Sequence, residues 1–101
     1  MKNEISAQIL YIQNRLSQSA ILMQLAEESS EVSQAALKLA RIYQAENPTP
    51  VTQTEAVQKL HEELADFLVS LNCLMNIDFD KIEKIEERKI GRWVERLEQS
   101  K

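Results

Sequence analysis

Residues 19–45 read SAILMQLAEESSEVSQAALKLARIYQA, without a Gly or a Pro among them. Ile21, Leu22, Leu25, Val32, Ala35, Ala36, Leu39 and Ile42 recur along the stretch at helical spacing. That predicts one amphipathic helix from Ser19 to about Ala45, roughly seven turns at ~3.6 residues each. A helix this long sets the class of the chain around it. On its C-terminal side Asn47-Pro48-Thr49-Pro50 must end it, because each proline lacks an amide donor and holds its predecessor in extended geometry. Thr52, followed three residues later by Glu55, reads as a capping box. It opens a third helix whose stripe Val57, Leu60, Leu64, Phe67, Leu68, Leu71 and Met75 runs to about Met75. Asn76-Ile77-Asp78 interrupts the pattern, and Asp78 or Asp80 caps a fourth helix bearing Ile82, Ile85, Ile90, Trp93, Val94 and Leu97. Gly91 is tolerated inside it at a cost of about 1 kcal/mol. On the N-terminal side, Ile5, Ile9, Leu10, Ile12 and Leu16 predict a short amphipathic helix from about Asn3 to Ser17.

The expected architecture is therefore all-α, four helices in a single domain over residues 1–101, with no internal repeat or low-complexity tract. One Gly and two Pro in the whole chain agree with that class. A core built from 101 residues is thin in a monomer, and oligomerisation would relieve it. Twelve basic against 16 acidic side chains leave a net charge of −4, which argues against a nucleic-acid polymer as partner. A polyanionic ligand needs a metal or a local basic patch. No stretch approaches the roughly 20 apolar residues that span a bilayer, and Met1 to Ile12 lacks a signal-peptide core. The lone Cys73, among Leu68, Val69, Leu71, Leu74 and Met75, reads as a small buried hydrophobe, which fits a reducing, cytoplasmic compartment.

Chemistry concentrates in two acidic motifs. Glu27-Glu28-Ser29-Ser30-Glu31 on the second helix puts Glu28 and Glu31 on one face, and Glu62-Glu63-Leu64-Ala65-Asp66 on the third does the same for Glu63 and Asp66. Glu28 lies between Leu25 and Val32, and Glu63 between Leu60 and Phe67, so both acids border apolar stripes. Like charges pushed toward a core cost desolvation and repulsion unless a cation neutralises them. Carboxylates without a His or Cys cluster favour Mg²⁺ over zinc. Two antiparallel helices joined by one short loop would bring the pairs together. A carboxylate di-iron site is excluded, because the single His61 is preceded at the ligand offset by Gln58. On the fourth helix, Lys84, Arg88, Arg92 and Arg96 form a basic stripe whose simplest reading is a solvated face paired with Glu83, Glu86, Glu87 and Glu95. Trp93 reads as a core or interface residue.

Glu28-x-x-Glu31, then Glu63-x-x-Asp66 within Glu62-Glu63-Leu64-Ala65-Asp66-Phe67-Leu68, then a basic last helix, resembles the MazG-like all-α nucleoside triphosphate pyrophosphohydrolases over roughly Ile21 to Leu97. Two features depart from that family: a long interval between the motifs, and no match for the usual Asn of the last helix. The resemblance implies a Mg²⁺-dependent hydrolase that cleaves between the α- and β-phosphates, giving a nucleoside monophosphate and pyrophosphate. It implies Glu28, Glu31, Glu63 and Asp66 as metal ligands, with Glu27 or Glu62 as the base that activates water. By position in the family's last helix, Lys89 and Arg92 would contact the triphosphate. It also implies a homodimer or homotetramer, in which helices of neighbouring chains complete a MazG-like bundle. The competing expectation is a non-catalytic helical dimerisation or interaction module, one that binds nucleotides at most, whose apolar stripes serve only for association.

Overall fold

The computed structural model describes residues 3–100, with side chains from Ser6 onward; the expectations for Met1, Lys2 and the Ile5 side chain lie outside the described residues. Four helices follow one another, α1 (Asn3–Arg15), α2 (Gln18–Gln44), α3 (Gln53–Asn72) and α4 (Phe79–Gln99), with no strand among the described residues. The class is all-α.

Each boundary has a local cause. Ser17 caps α2 by accepting a hydrogen bond from the Ala20 amide at 3.1 Å. At the other end Ala45 turns left-handed, φ 57°, and its amide donates to the Arg41 carbonyl. Thr52 caps α3 by accepting from the Glu55 amide. Its hydroxyl also donates to the Glu55 carboxylate at 3.0 Å, so the capping pair closes through side chains and not through the Thr52 amide. Asp78, not Asp80, caps α4, accepting from the Lys81 amide at 3.0 Å, while Asp80 sits in the first turn.

α3 stops at Asn72, three residues before the expected Met75. The reason is tertiary. Cys73 and Leu74 turn inward and bury against Ile21, with Ile9, Ile12, Leu25 and Leu71 packed around them. Two backbone groups at this turn find partners on the first two helices: the Gln13 amide donates to the Cys73 carbonyl at 3.1 Å, and the Met75 amide donates to the Gln18 side-chain oxygen at 2.9 Å. Asn76 then takes φ 62°, a conformation Asn tolerates better than most residues, in the turn that leads into α4.

The one extensive helix–helix interface is between α2 and α3, which run antiparallel. On α2 the residues at least half-buried along it are Ile21, Leu25, Glu28, Val32, Ala35, Leu39 and Ile42. On α3 they follow the line Ala56, Leu60, Glu63, Phe67 and Ser70, with Val57 and Leu71 half-buried beside it. Both sets alternate steps of four and three, the seam of a two-helix coiled coil. Leu64 and Leu68, expected in the α3 stripe, face outward. α4 makes no comparable interface: of its residues only Ile85 is half-buried, and Trp93 stands 61% exposed. The radius of gyration, 17.4 Å, exceeds the ~13 Å of a compact chain this long. In the single chain the helices make an α2–α3 hairpin braced at one end by α1, with α4 standing apart.

Candidate metal centre

One layer of the α2–α3 seam is acidic. Glu28 and Glu63 occupy seam positions, and Glu31 follows one turn after Glu28 at the seam's edge. Each contributes one carboxylate oxygen to a group whose atoms all lie within 4.8 Å of one another. Glu63 is 5% exposed, a burial that an ionised carboxylate tolerates only with partners.

Those partners are half supplied. Lys59, one turn earlier on α3, places its ammonium 2.9 Å from Glu63 Oε1. Gln24, one turn earlier on α2, donates its amide to Glu28 Oε1 at 2.6 Å. The second oxygens, Glu28 Oε2 and Glu63 Oε2, are shielded from solvent and, with Glu31 ionised, have no hydrogen-bond donor. Two such oxygens beside a third carboxylate form a donor set whose three charges are met by the single ammonium of Lys59, and an oxygen-preferring divalent cation fits it. No His or Cys belongs to the group.

The charges answer one another electrostatically. Glu31's carboxyl is held above the ordinary glutamate range, first because its proton would hydrogen-bond to Glu63, then by repulsion from Glu63 and Glu28. Glu63 is held below it, first by the Lys59 hydrogen bond and then by that from Glu31. Lys59 is correspondingly raised, chiefly by Glu63. Burial alone pushes the Cys73 thiol up, which keeps it inert in the apolar end of the hairpin.

Of the four acids expected as ligands, the fold gathers Glu28, Glu31 and Glu63; Asp66, one turn further along α3, is exposed and outside the group. Glu27 and Glu62 are exposed neighbours of the cluster in sequence. Lys89 and Arg92 lie on α4, exposed, on the helix with no extensive interface to α2 or α3. Sequence reasoning overlooked Gln24 and Lys59. Both stand four residues before a cluster acid, a spacing at which helical side chains meet, so the signal was present. No protein-family model, curated protein or solved structure matches the chain.

Proposed function

We propose that this protein is a Mg²⁺-dependent nucleoside triphosphate pyrophosphohydrolase of the cytoplasm, releasing a nucleoside monophosphate and pyrophosphate. The observation that carries the reading is the pair of orphaned, buried oxygens of Glu28 and Glu63 beside Glu31, in a seam where an apolar residue would otherwise pack. The resemblance of both acidic motifs to those of MazG-like enzymes supplies the reaction.

In this proposal Glu28, Glu31 and Glu63 hold the cation, and Asp66, on the same face of α3 one turn away, is the fourth ligand. Bound Mg²⁺ would neutralise phosphate oxygens and orient them for in-line attack. The protein's own part is to fix these carboxylates in place and to favour the ionised form of Glu63. Gln24 and Lys59 each restrain one oxygen, leaving the other directed to the cation. Glu27 or Glu62, both solvent-accessible beside the ligands, takes the proton from the attacking water. Lys89 and Arg92 are the proposed triphosphate contacts on α4.

The enzyme is proposed to work as a homodimer or homotetramer whose neighbouring helices complete a MazG-like bundle. Supporting this, Leu22, Met23, Leu64, Leu68 and Val69 on the hairpin, and Ile90, Trp93, Val94 and Leu97 on α4, are each at least 40% exposed, apolar side chains that association could cover. The same exposed surface favours a second reading, a helical association module without catalysis.

The test is incubation with ribo- and deoxyribonucleoside triphosphates, with and without Mg²⁺, following monophosphate and pyrophosphate by chromatography and mass in solution by light scattering. Metal-dependent formation of both products, lost in Glu63→Gln with the helical spectrum retained, is the expected result. No turnover on any substrate, together with no Mg²⁺-dependent thermal shift, would leave the association module.

A further inference from the structure

Alongside the acidic layer, a cleft of about 410 Å³ runs between α2 and α3. Its size is within the usual range for a small-ligand site, ~300–1,000 Å³. Glu31 and Glu63 line it at one end, and Lys38, Arg41 and Lys59 line the remainder together with Gln34 and the apolar Ala35 and Leu37. The order follows from the helices. On α2, Glu31, Gln34, Lys38 and Arg41 follow at steps of three, four and three, so they share one stripe directed along the cleft. On the antiparallel α3, Lys59 precedes Glu63 by one turn, on the side toward Lys38 and Arg41. The cleft is thus polarised, acidic where Glu63 buries its unpartnered oxygen and cationic over the next two to three turns of α2.

The cations are not consumed by the fold. Among the described residues of this region Lys59 pairs with Glu63, and Lys38 and Arg41 make no ion pair. Lys59 itself keeps 62% of its side chain in solvent, so its ammonium touches the buried acid while remaining open to the cleft. A free anion would be repelled by the carboxylates at one end, and a free cation gains nothing from the other end. The ligand that satisfies both carries a divalent cation at one end and further negative charge beyond it.

Resting on the metal reading above, we infer that this cleft is a polyphosphate subsite, in which the phosphates outermost from the cation lie against Lys38 and Arg41, with Lys59 bridging them to Glu63. The outer phosphates are then gripped within the α2–α3 hairpin of the same chain, by residues distinct from Lys89 and Arg92. Arg41 presents a planar fork suited to two phosphate oxygens, and Lys38 a point charge.

The experiment uses the full chain and inorganic probes, so it does not depend on turnover. Mn²⁺ binding is followed by electron paramagnetic resonance, and binding of orthophosphate, pyrophosphate and tripolyphosphate in Mg²⁺ by calorimetry. Affinity is expected to rise with the length of the anion. The double variant Lys38→Gln/Arg41→Gln, altered at exposed positions and checked by circular dichroism, is expected to bind tripolyphosphate roughly tenfold or more weakly. Its Mn²⁺ affinity is expected to be unchanged. Wild-type tripolyphosphate affinity in the double variant, with Mn²⁺ still bound, overturns the subsite and leaves the metal reading standing. Absence of Mn²⁺ binding in the wild-type chain overturns both.

Discussion

Two layers of the α2–α3 hairpin, less than two turns of α2 apart, obey opposite rules. At the end braced by α1, Ile21, Cys73 and Leu74 are buried against Ile9, Ile12, Leu25 and Leu71, and Gln13 and Gln18 satisfy two of the backbone groups where α3 unwinds. At the layer of Glu28 and Glu63, the same seam buries charge and leaves two carboxylate oxygens without a donor. Apolar burial stabilises the first layer by about 25 cal/mol per Å² removed from water. The second gains nothing comparable and bears a desolvation cost. Local rules that agree at one place and conflict a turn or two away are the usual mark of a functional site in an otherwise consistent fold.

The contrast is broken most severely from the apolar side. Ile21 is 3% exposed and packs in one cluster with Cys73 and Leu74. Ile21→Ala is expected to lose about 3 kcal/mol of folding stability in urea titration. With a core this thin, a large fraction of the molecules would then be unfolded at 37 °C. A loss below about 1 kcal/mol would mean that the α1 brace contributes little. The acidic layer should answer in the other direction. Glu63→Leu places an apolar residue in a seam position and is expected to raise the melting temperature in chelator while abolishing the Mg²⁺-dependent shift. If it instead lowers the melting temperature in chelator, the Lys59–Glu63 pair is holding the hairpin together and the layer is structural.

Much of this was legible in the sequence because helices announce themselves through periodicity, and a Pro-x-Pro pair allows only a loop. The four elements, the Thr52 cap, an Asp cap at 78 or 80 and the approach of Glu63 to Glu28 and Glu31 follow from spacing and one short loop. Which stripe of a helix is buried does not. α3 carries apolar residues around more than half its circumference, and Leu64 and Leu68 looked as suited to the seam as Phe67. The fold chose the line through Ala56, Leu60, Glu63, Phe67 and Ser70, where small residues let α2 come close, and Leu64 and Leu68 were left outside. Glu28 and Glu63 accordingly sit within the seam, not at its border. The end of α3 escaped for a different reason: the Gln13 and Gln18 hydrogen bonds that stabilise the turn at Cys73 span 60 and 57 residues, beyond any local signal. The position of α4 escaped too, since an amphipathic helix predicts a covered face without saying what covers it.

A smaller effect sharpens the comparison from the far end of α2. Ala45 holds φ 57° at the cap, a conformation that costs a non-glycine residue roughly 1–2 kcal/mol and glycine almost nothing. Part of that gain is offset by the greater freedom of glycine in the unfolded chain. Ala45→Gly is expected to add about 0.5–1 kcal/mol of stability by urea titration, with Mg²⁺ binding unaltered. A loss of stability would mean that the Ala45 side chain is worth more to the loop than its backbone strain costs.

The gentlest probe of the acidic layer is pH. Glu31 has a raised pKa in the folded chain, so its contribution to stability is complete below the ordinary glutamate value and is lost as pH rises through the raised one. Glu63, with a lowered pKa, contributes above the ordinary value and loses that contribution as pH falls through the lowered one. In chelator the two acids together favour the window in which Glu63 is ionised and Glu31 protonated. A cation reverses the preference at Glu31, because it binds the ionised form and must displace the proton. Urea titrations between about pH 4 and pH 7 should therefore show the contribution of this layer declining with pH in chelator and rising with pH in Mg²⁺. Calorimetry near the raised Glu31 value should detect proton release on cation binding, about half a proton per cation. The Glu31→Gln chain, which has no proton to give up, should lose that release and flatten both profiles. If the two profiles run parallel in the native chain, the carboxyls of Glu31 and Glu63 do not share a cation, and their approach within 4.8 Å belongs to the packing of the hairpin alone.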